Sequence, residues 1–506
     1  MKLYRKLICA LLLAATLFGL VACSGGGEPG KTETKPSGTK VTDESVTTEE
    51  PRNDIADLPE DLNFGEEKFT IRSLVQQPAS KEFEAEQNGS VIDQAVYGRN
   101  RGLEEKYHCV ILSDETVGDT NKSTMLKETE EMVNGGFYNN QILVTAGYRM
   151  CDLAINGLLT NIRTMDGISL SKDYYSQGHN EALSFANDYQ YLITGRMSMS
   201  FYRYLTVMFY NRTLFRDYGV EDPYDLVMNQ KWTFEKAAEI ASAIHLDNGN
   251  VNDSIYGFVG YVGGGSSQTD GFMSAVDMRV VGKDENDCYK LMFDSARLDD
   301  TVSKILKLLH SNGSYVSDTW EGGGNVAVPG KFTAGTAGMI AFRLYAVESG
   351  DMVALGNTGL GYGILPLPKA DEIQDDYVSY VQDQCFLFGF PKTLPDELKQ
   401  KVGWFFEAYA SDSYEMTKTT YYEKALTRRY LDAKSKTIME TIDSKVYVDP
   451  VNVYLSSQFK FTTARLRKVY NGESSVTEIV EKYITGTDNL LESQVNGLNE
   501  IYGELK

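Results

Sequence analysis

Residues 209–244 read FYNRTLFRDYGVEDPYDLVMNQKWTFEKAAEIASAI, and the rest of the chain can be organised around them. Leu205, Val207 and Phe209 alternate as a strand, and Asn211 then begins a short helix in which Leu214 and Phe215 face inward while Arg212 and Arg216 stay in water. Gly219 ends that helix. Pro223 falls in the first turn of a second short helix. Thr233 is placed to cap a longer one, whose Phe234, Ala237, Ala238, Ala241 and Ile244 recur at helical spacing. A strand followed by a helix with one buried face predicts an α/β domain.

The same alternation runs upstream. Residues 68–74, 109–112 and 141–144 read as strands. Helical stretches carry Tyr97, Leu103 and Tyr107, then residues 125–133, then 151–158. Strands alternating with helices predict a mainly parallel sheet, and ligands of such sheets bind beyond the carboxyl ends of the strands. That rule singles out Ser73, Gln76 and Gln77 after the first strand, and Thr145, Tyr148 and Arg149 after the third.

Length and charge narrow the function. A chain of 506 residues with 42% hydrophobic content can bury two cores. Lys and Arg number 49 against 71 Asp and Glu, a net charge of −22, which disfavours nucleic acid and electrostatic binding to anionic lipid. At the N-terminus, Lys2, Arg5 and Lys6 precede an apolar run over residues 7–22 that ends at Leu20-Val21-Ala22-Cys23. The run is short for a membrane-spanning helix, and Ser24-Gly25-Gly26-Gly27 follows it in place of basic residues. This end resembles a lipobox, which implies a signal peptide over 1–22 and a lipid on Cys23. Residues 23–62 are rich in Gly, Thr, Glu, Lys and Ser and read as a flexible tether that lets a globular body stand some tens of ångströms off the membrane.

The opening stretch, written YN-x-x-LF-x-x-YG-x-x-x-P with KWT-x-x-K after it, closely resembles the segment YNKxLFxxxGLxxPxxTWxxF of the extracellular solute-binding proteins that serve bacterial ABC importers. Asn211, Leu214-Phe215, Gly219, Pro223 and Trp232-Thr233 recur in the order and spacing of that family. Further on, residues 332–339 resemble its FxxGxAAM and residues 361–369 its GxxPxPK. The resemblance implies a two-lobed periplasmic-binding-protein-like (type II) α/β fold. Each lobe would be a mainly parallel sheet flanked by helices, the two joined by hinge crossovers near residues 195–204 and 380–390. Lobe I would comprise 63–200 and 382–425, and lobe II 201–381 and 426–506. The implied partners are a small-molecule ligand, first of all a carbohydrate, and the membrane subunits of an ABC permease. The protein would be a monomer held by its lipid at the extracytoplasmic face of the cell membrane, with no cofactor. A surface sensor of the same fold and a secreted glycan-cleaving enzyme are the alternatives.

Catalysis has little support in the residues. His108, His179, His245 and His310 are scattered without metal-ligand spacing, no G-x-S-x-G occurs, and Gly330-Lys331 lacks the pattern of a phosphate loop. The Asp- and Asn-rich turn at 247–253 lacks calcium-loop spacing. Cys109, Cys151, Cys288 and Cys385 read as buried free thiols. For ligand contacts, the resemblance directs seven residues at a cleft: Tyr148 and Arg149 on lobe I, Arg196 and Tyr202 at the first crossover, and Tyr261, Arg343 and Tyr345 on lobe II. Aromatic faces and polar partners suit a sugar, while three arginines leave room for an acidic sugar, a phosphorylated compound or a peptide. Each of the seven also has a packing or ion-pairing alternative.

Overall fold

The computed structural model describes residues 53–76, 81–118, 120, 122–185, 189–263, 267–279, 281–292, 295–318, 328–347, 361–420, 433–450, 454, 467–480, 496–497 and 499–500. The signal segment, Cys23, the tether up to residue 52, Gln77, residues 264–266 and Trp320 lie outside the described residues.

In chain order the first part of the body is β1 (Glu67–Val75), α1 (Val91–Tyr107), β2 (Cys109–Val117), α2 (Thr124–Asn134), β3 (Ile142–Ala146), α3 (Gly147–Ile155), α4 (Gln177–Leu183), β4 (Ser184–Phe185), β5 (Tyr189–Gln190) and α5 (Met199–Arg203). The second part is β6 (Leu205–Asn211), α6 (Arg212–Asp217), α7 (Pro223–Met228), α8 (Phe234–Ala243), β7 (Tyr256–Tyr261), α9 (Ser267–Ala275), β8 (Val281–Lys283), β9 (Tyr289–Leu291), α10 (Ser295–Leu309), β10 (Ser314–Ser317), α11 (Val328–Thr333), β11 (Ala337–Arg343), β12 (Tyr362–Leu365) and β13 (Tyr380–Val381). β14 (Phe386–Gly389) and α12 (Asp396–Met416) come next, then α13 (Ala433–Ser444) and α14 (Val476–Val480).

Two sheets result. The first has the order β14-β3-β1-β2, with β2 and β3 parallel to β1 and β14 antiparallel to β3. All five residues of β3 are buried, as expected for a strand covered on both faces. The second has the order β10-β7-β11-β6-β12. β7 is parallel to both its neighbours, whereas β6 runs antiparallel to β11, β12 and β13. The first sheet is thus completed by a strand that lies some 240 residues further along the chain than its partner β3, and this return makes the body two-lobed.

The opening stretch folds through its local signals. Asn211 Oδ1 accepts from the backbone N–H of Thr213 and Leu214 and caps α6, Gly219 leaves the helix at φ +63°, and Asp222 caps α7 with Pro223 in the first turn. Thr233 Oγ1 accepts from Lys236 N at 3.2 Å and caps α8, whose Phe234, Ala237, Ile240 and Ala241 are buried. Arg212 departs from expectation. Its guanidinium lies over the Tyr210 and Tyr224 rings and donates to Tyr224 Oη at 2.9 Å, so it is part of the packing, whereas Arg216 is exposed and pairs with Asp217.

Residues 53–62, expected in the tether, lie along the first lobe instead. Asn53 Nδ2 donates to Ser171 O and Asp173 Oδ1, Asp57 pairs with Lys172 at 2.8 Å, and Leu58 and Leu62 pack on the core around Phe69 and Phe405. Leu58 and Leu62 supply the apolar surface that docks this run. The four cysteines Cys109, Cys151, Cys288 and Cys385 are free, and all but Cys288 are buried.

Candidate binding site at the crossovers

The chain passes between the lobes at α5–β6 and again at β13–β14, and the two passages are bonded to each other. Gln382 N donates to Tyr204 O at 3.0 Å, Phe386 N donates to Ser200 Oγ at 2.9 Å, and Tyr380 and Val381 pair with Thr206 and Leu205. A buried carboxylate fixes the first passage. Glu82 accepts from Ser198 Oγ at 2.5 Å and from the backbone N–H of Met199 and Ser200 at the start of α5, with Arg203 3.9 Å away. Burial pushes the Glu82 carboxyl up, and Arg203 together with the Ser198 bond offsets part of that.

The end of β3 meets the second passage. Gly147 N donates to Cys385 O at 2.9 Å and Tyr148 N to Asp383 O at 3.3 Å. A Cβ at Gly147 would lie 3.1 Å from the Asp383 carbonyl, a tight fit that glycine relieves. The helix after β3 starts at Gly147 rather than near residue 151, so Tyr148 and Arg149 occupy its first turn and not a loop. Tyr148 Oη and Thr120 Oγ1 are 3.1 Å apart.

From the second lobe comes Arg343, the last residue of β11. Directly opposed residues of antiparallel strands share a face, so Arg343, its partner Thr206 and the Tyr380 paired to Thr206 project to one side of the sheet. Arg343 Nη1 donates to Gln382 Oε1 at 2.9 Å and to Gln384 Oε1 at 3.2 Å, and Nη2 donates to Tyr345 Oη at 3.1 Å. The guanidinium also lies over the Tyr204 and Tyr345 rings. Among the described residues its buried Nε has no hydrogen-bond partner, nor does the Thr206 hydroxyl.

Between Tyr148 and Arg343 sits Asp383. Burial pushes its carboxyl up to about 7, Asp270 on α9 adds to the shift, and Arg343 opposes it. Tyr148, Asp270, Arg343, Tyr345, Gln382 and Asp383 are all half-buried. They form a polar and aromatic floor that water can reach, built from both lobes and from the chain that joins them.

The sequence-derived residues divide accordingly. Tyr148, Arg343 and Tyr345 converge on this floor. Tyr261 ends β7, which is parallel to β11, and so lies at the same end of the sheet as Arg343; its N–H donates to Gln268 Oε1 of α9 at 2.8 Å. Arg149 stacks on Tyr148 but donates to Thr120 O and Asp152 Oδ2, both at 3.0 Å. Arg196 and Tyr202 gather elsewhere, at Asp443 of α13. Arg196 Nε donates to both Asp443 oxygens at 2.9 and 2.8 Å and Nη2 to the Asp443 carbonyl at 2.7 Å, while the buried Tyr202 also hydrogen-bonds the Asp443 carboxylate. Sequence reading missed Asp270, Gln382, Asp383, Gln384 and Thr120. The polar run Gln382-Asp383-Gln384 between apolar Tyr380-Val381 and Phe386-Leu387 was the available signal. Three of the four histidines have structural partners: His179 is buried against Ser176, His245 Nδ1 meets Ile255 O, and His310 Nε2 meets Tyr470 O, while the exposed His108 caps α1 through its backbone.

No protein-family model matches the chain, and no curated protein matches it either. Solved structures do. A sugar transporter protein of Rhizobium etli in an open conformation superposes with a TM-score of 0.56 at 14% identity, over 86% of this chain and 100% of that one. A family 1 extracellular solute-binding protein of Bifidobacterium longum subsp. infantis gives 0.52 at 14% identity, over 87% and 100%. An ABC substrate-binding protein of Listeria monocytogenes in complex with cycloalternan gives 0.51 at 13%, over 87% and 99%. The fold is therefore the two-domain, periplasmic-binding-protein-like α/β fold.

Proposed function

We propose that the protein is a lipid-anchored, extracytoplasmic solute-binding protein without catalytic activity. It would capture a carbohydrate or oligosaccharide between its lobes and deliver it to an ABC permease. The observation that carries this reading is the half-buried floor at the crossovers, to which lobe I contributes Tyr148, lobe II contributes Arg343, Tyr345 and Asp270, and the connecting chain contributes Gln382 and Asp383. A ligand touching all three parts is fully bound only when the lobes are together, so it shifts the hinge towards closure. The neighbours' fold supports the same mechanism.

The ligand class follows from the arginines. Arg149, Arg196 and Arg343 each donate to acceptors of this chain: Asp152 and Thr120, Asp443, and Gln382, Gln384 and Tyr345 respectively. An anion would have to displace those acceptors and would meet Asp270 and Asp383. Hydroxyl groups, in contrast, donate to carboxylate and amide oxygens and present C–H faces to Tyr148 and Tyr345. An uncharged, hydroxyl-rich ligand is favoured over a uronate, a phosphate ester or an acidic peptide.

A thermal-shift screen followed by calorimetry over neutral oligosaccharides, uronides and peptides tests this. Neutral oligosaccharides should stabilise the protein, and Arg343→Ala should weaken the best of them several-fold, because Gln382, Gln384 and Tyr345 lose the guanidinium that holds them in place. Binding confined to peptides would overturn the carbohydrate reading.

A further inference from the structure

The crossovers are not the only place where the lobes are joined. The β8–β9 hairpin belongs to the second lobe by sequence, lying between α9 and α10, yet it packs on the first. Tyr289 enters the lobe I core beside Phe185, with ring centroids 4.5 Å apart at 87°, and its hydroxyl donates to Ala182 O at the end of α4. Lys283 Nζ donates to Ser184 Oγ at 2.7 Å.

The chain after α13 makes the same crossing. Gly178 on α4 faces the Val446 carbonyl so closely that a Cβ there would lie 2.0 Å from its oxygen. Val448 is buried in the same lobe I core, and Tyr454 packs edge-on against Phe185 at 5.3 Å while its hydroxyl donates to Leu183 O at 3.0 Å. Hairpin and following chain are bonded to each other: Tyr447 Oη donates to Val281 O at 3.1 Å, Val281 N to Asp449 Oδ2 at 3.3 Å, and Arg279 lies 4.3 Å over the Tyr447 ring. Arg196–Asp443 continues this line of contacts towards the first crossover.

We propose that these two segments form a clasp, a side-chain joint between the lobes in addition to the backbone passages, that limits how far they separate in the ligand-free protein. Backbone passages alone would leave the hinge free to open by bending. A buried aromatic wedge anchored on α4 and β4 cannot follow a wide opening without withdrawing Tyr289 and Tyr454 from an apolar core, which costs apolar burial and two hydrogen bonds to backbone carbonyls. The lobes are thereby held near the separation at which the crossover floor is enclosed, and less ordering remains for a ligand to impose. This inference rests on the hinge mechanism proposed above, but its test needs no ligand, so the two can fail separately.

Small-angle scattering of the ligand-free full chain compares wild type with Tyr289→Ala/Tyr454→Ala. The double variant should keep its far-UV circular dichroism and show a larger radius of gyration with a longer maximum dimension. Superposable scattering from a folded variant overturns the clasp. Should that variant fail to fold, Lys283→Ala/Tyr289→Phe removes two cross-lobe hydrogen bonds with little loss of packing, and hydrogen exchange is read at Gln382, whose N–H bond to Tyr204 lies at the crossovers. Exchange there should accelerate several-fold. Acceleration confined to residues 182–185 would mean local packing only and would overturn the proposal.

Discussion

Replacing Asp383 with asparagine removes one carboxylate from the crossover floor and changes almost nothing in volume, so its effect on stability isolates the charge. Burial, reinforced by Asp270 and opposed by Arg343, moves this carboxyl from its ordinary 3.8 up to about 7. The sign follows directly. Between those values the folded protein holds a proton that the unfolded chain has released, so stability falls as pH rises through the window. At about 1.4 kcal/mol per tenfold change in proton affinity, the full displacement corresponds to about 4 kcal/mol. Partial access of the side chain to water brings the expected value to roughly 2–4 kcal/mol. Near pH 3, below both values, Asp383 is protonated in the folded and the unfolded chain alike, so wild type and Asp383→Asn should unfold at similar urea concentrations. At pH 8 the variant should be the more stable by that amount. Other buried carboxyls pushed up in the fold, Glu82, Glu407 and Asp443, titrate in both proteins and cancel in the difference. Urea unfolding at half-unit steps from pH 3 to 8 measures the difference curve. A flat curve would refute both the enclosure of Asp383 and the floor built around it.

Three further outcomes are expected. His179 is buried without a counter-charge and is pushed down to about 3, so the folded state binds fewer protons than the unfolded chain below about 6.5; its contribution to stability is present above that pH and is lost on acidification towards 3, and His179→Gln should flatten this limb in urea titrations, opposite in slope to Asp383. Glu82→Gln should destabilise by about 3 kcal/mol in urea at pH 7, because Arg203 and the N-terminal N–H groups of α5 lose the buried charge that they share; a change under about 0.5 kcal/mol would show that Glu82 does not fix the first crossover. Cys23→Ala should abolish palmitate incorporation in a bacterial host and leave an unprocessed precursor, and labelling that persists in the variant would remove the anchor from the proposed function.

What the sequence revealed and what it hid differ in range along the chain. Asn211, Gly219, Pro223 and Thr233 were legible because a cap or a helix stop acts on N–H and C=O groups within three or four residues, and the α6 to α8 region folds as those signals dictate. The alternation of strands and helices was legible for the same reason. Helix starts were less so: α3 begins with Gly147, whose tight approach to the Asp383 carbonyl 236 positions away leaves no local trace. Docking of residues 53–62 and Arg212 was likewise hidden, since both depend on surfaces supplied by distant segments.

The arginines show why candidate residues could be named while their chemistry could not. From the sequence alone, Arg149, Arg196 and Arg343 count as three cations near a cleft, and three cations admit an anionic ligand. Arg196 meets its carboxylate 247 residues later, and Arg343 meets Gln382 and Gln384 39 and 41 residues later, across the second crossover. A guanidinium already donating to acceptors of its own chain offers a ligand little further charge, and around Arg343 its remaining influence is to hold two glutamine side chains and Tyr345 in place. The carboxylates work in the reverse direction. Asp270 and Asp383 are inconspicuous among 71 acidic residues, yet enclosure beside one another gives Asp383 a proton affinity far above that of its solvated counterparts. The groups that enclosure sets apart at this floor are therefore acidic and hydrogen-bond accepting, whereas its guanidinium is already engaged by the chain's own acceptors.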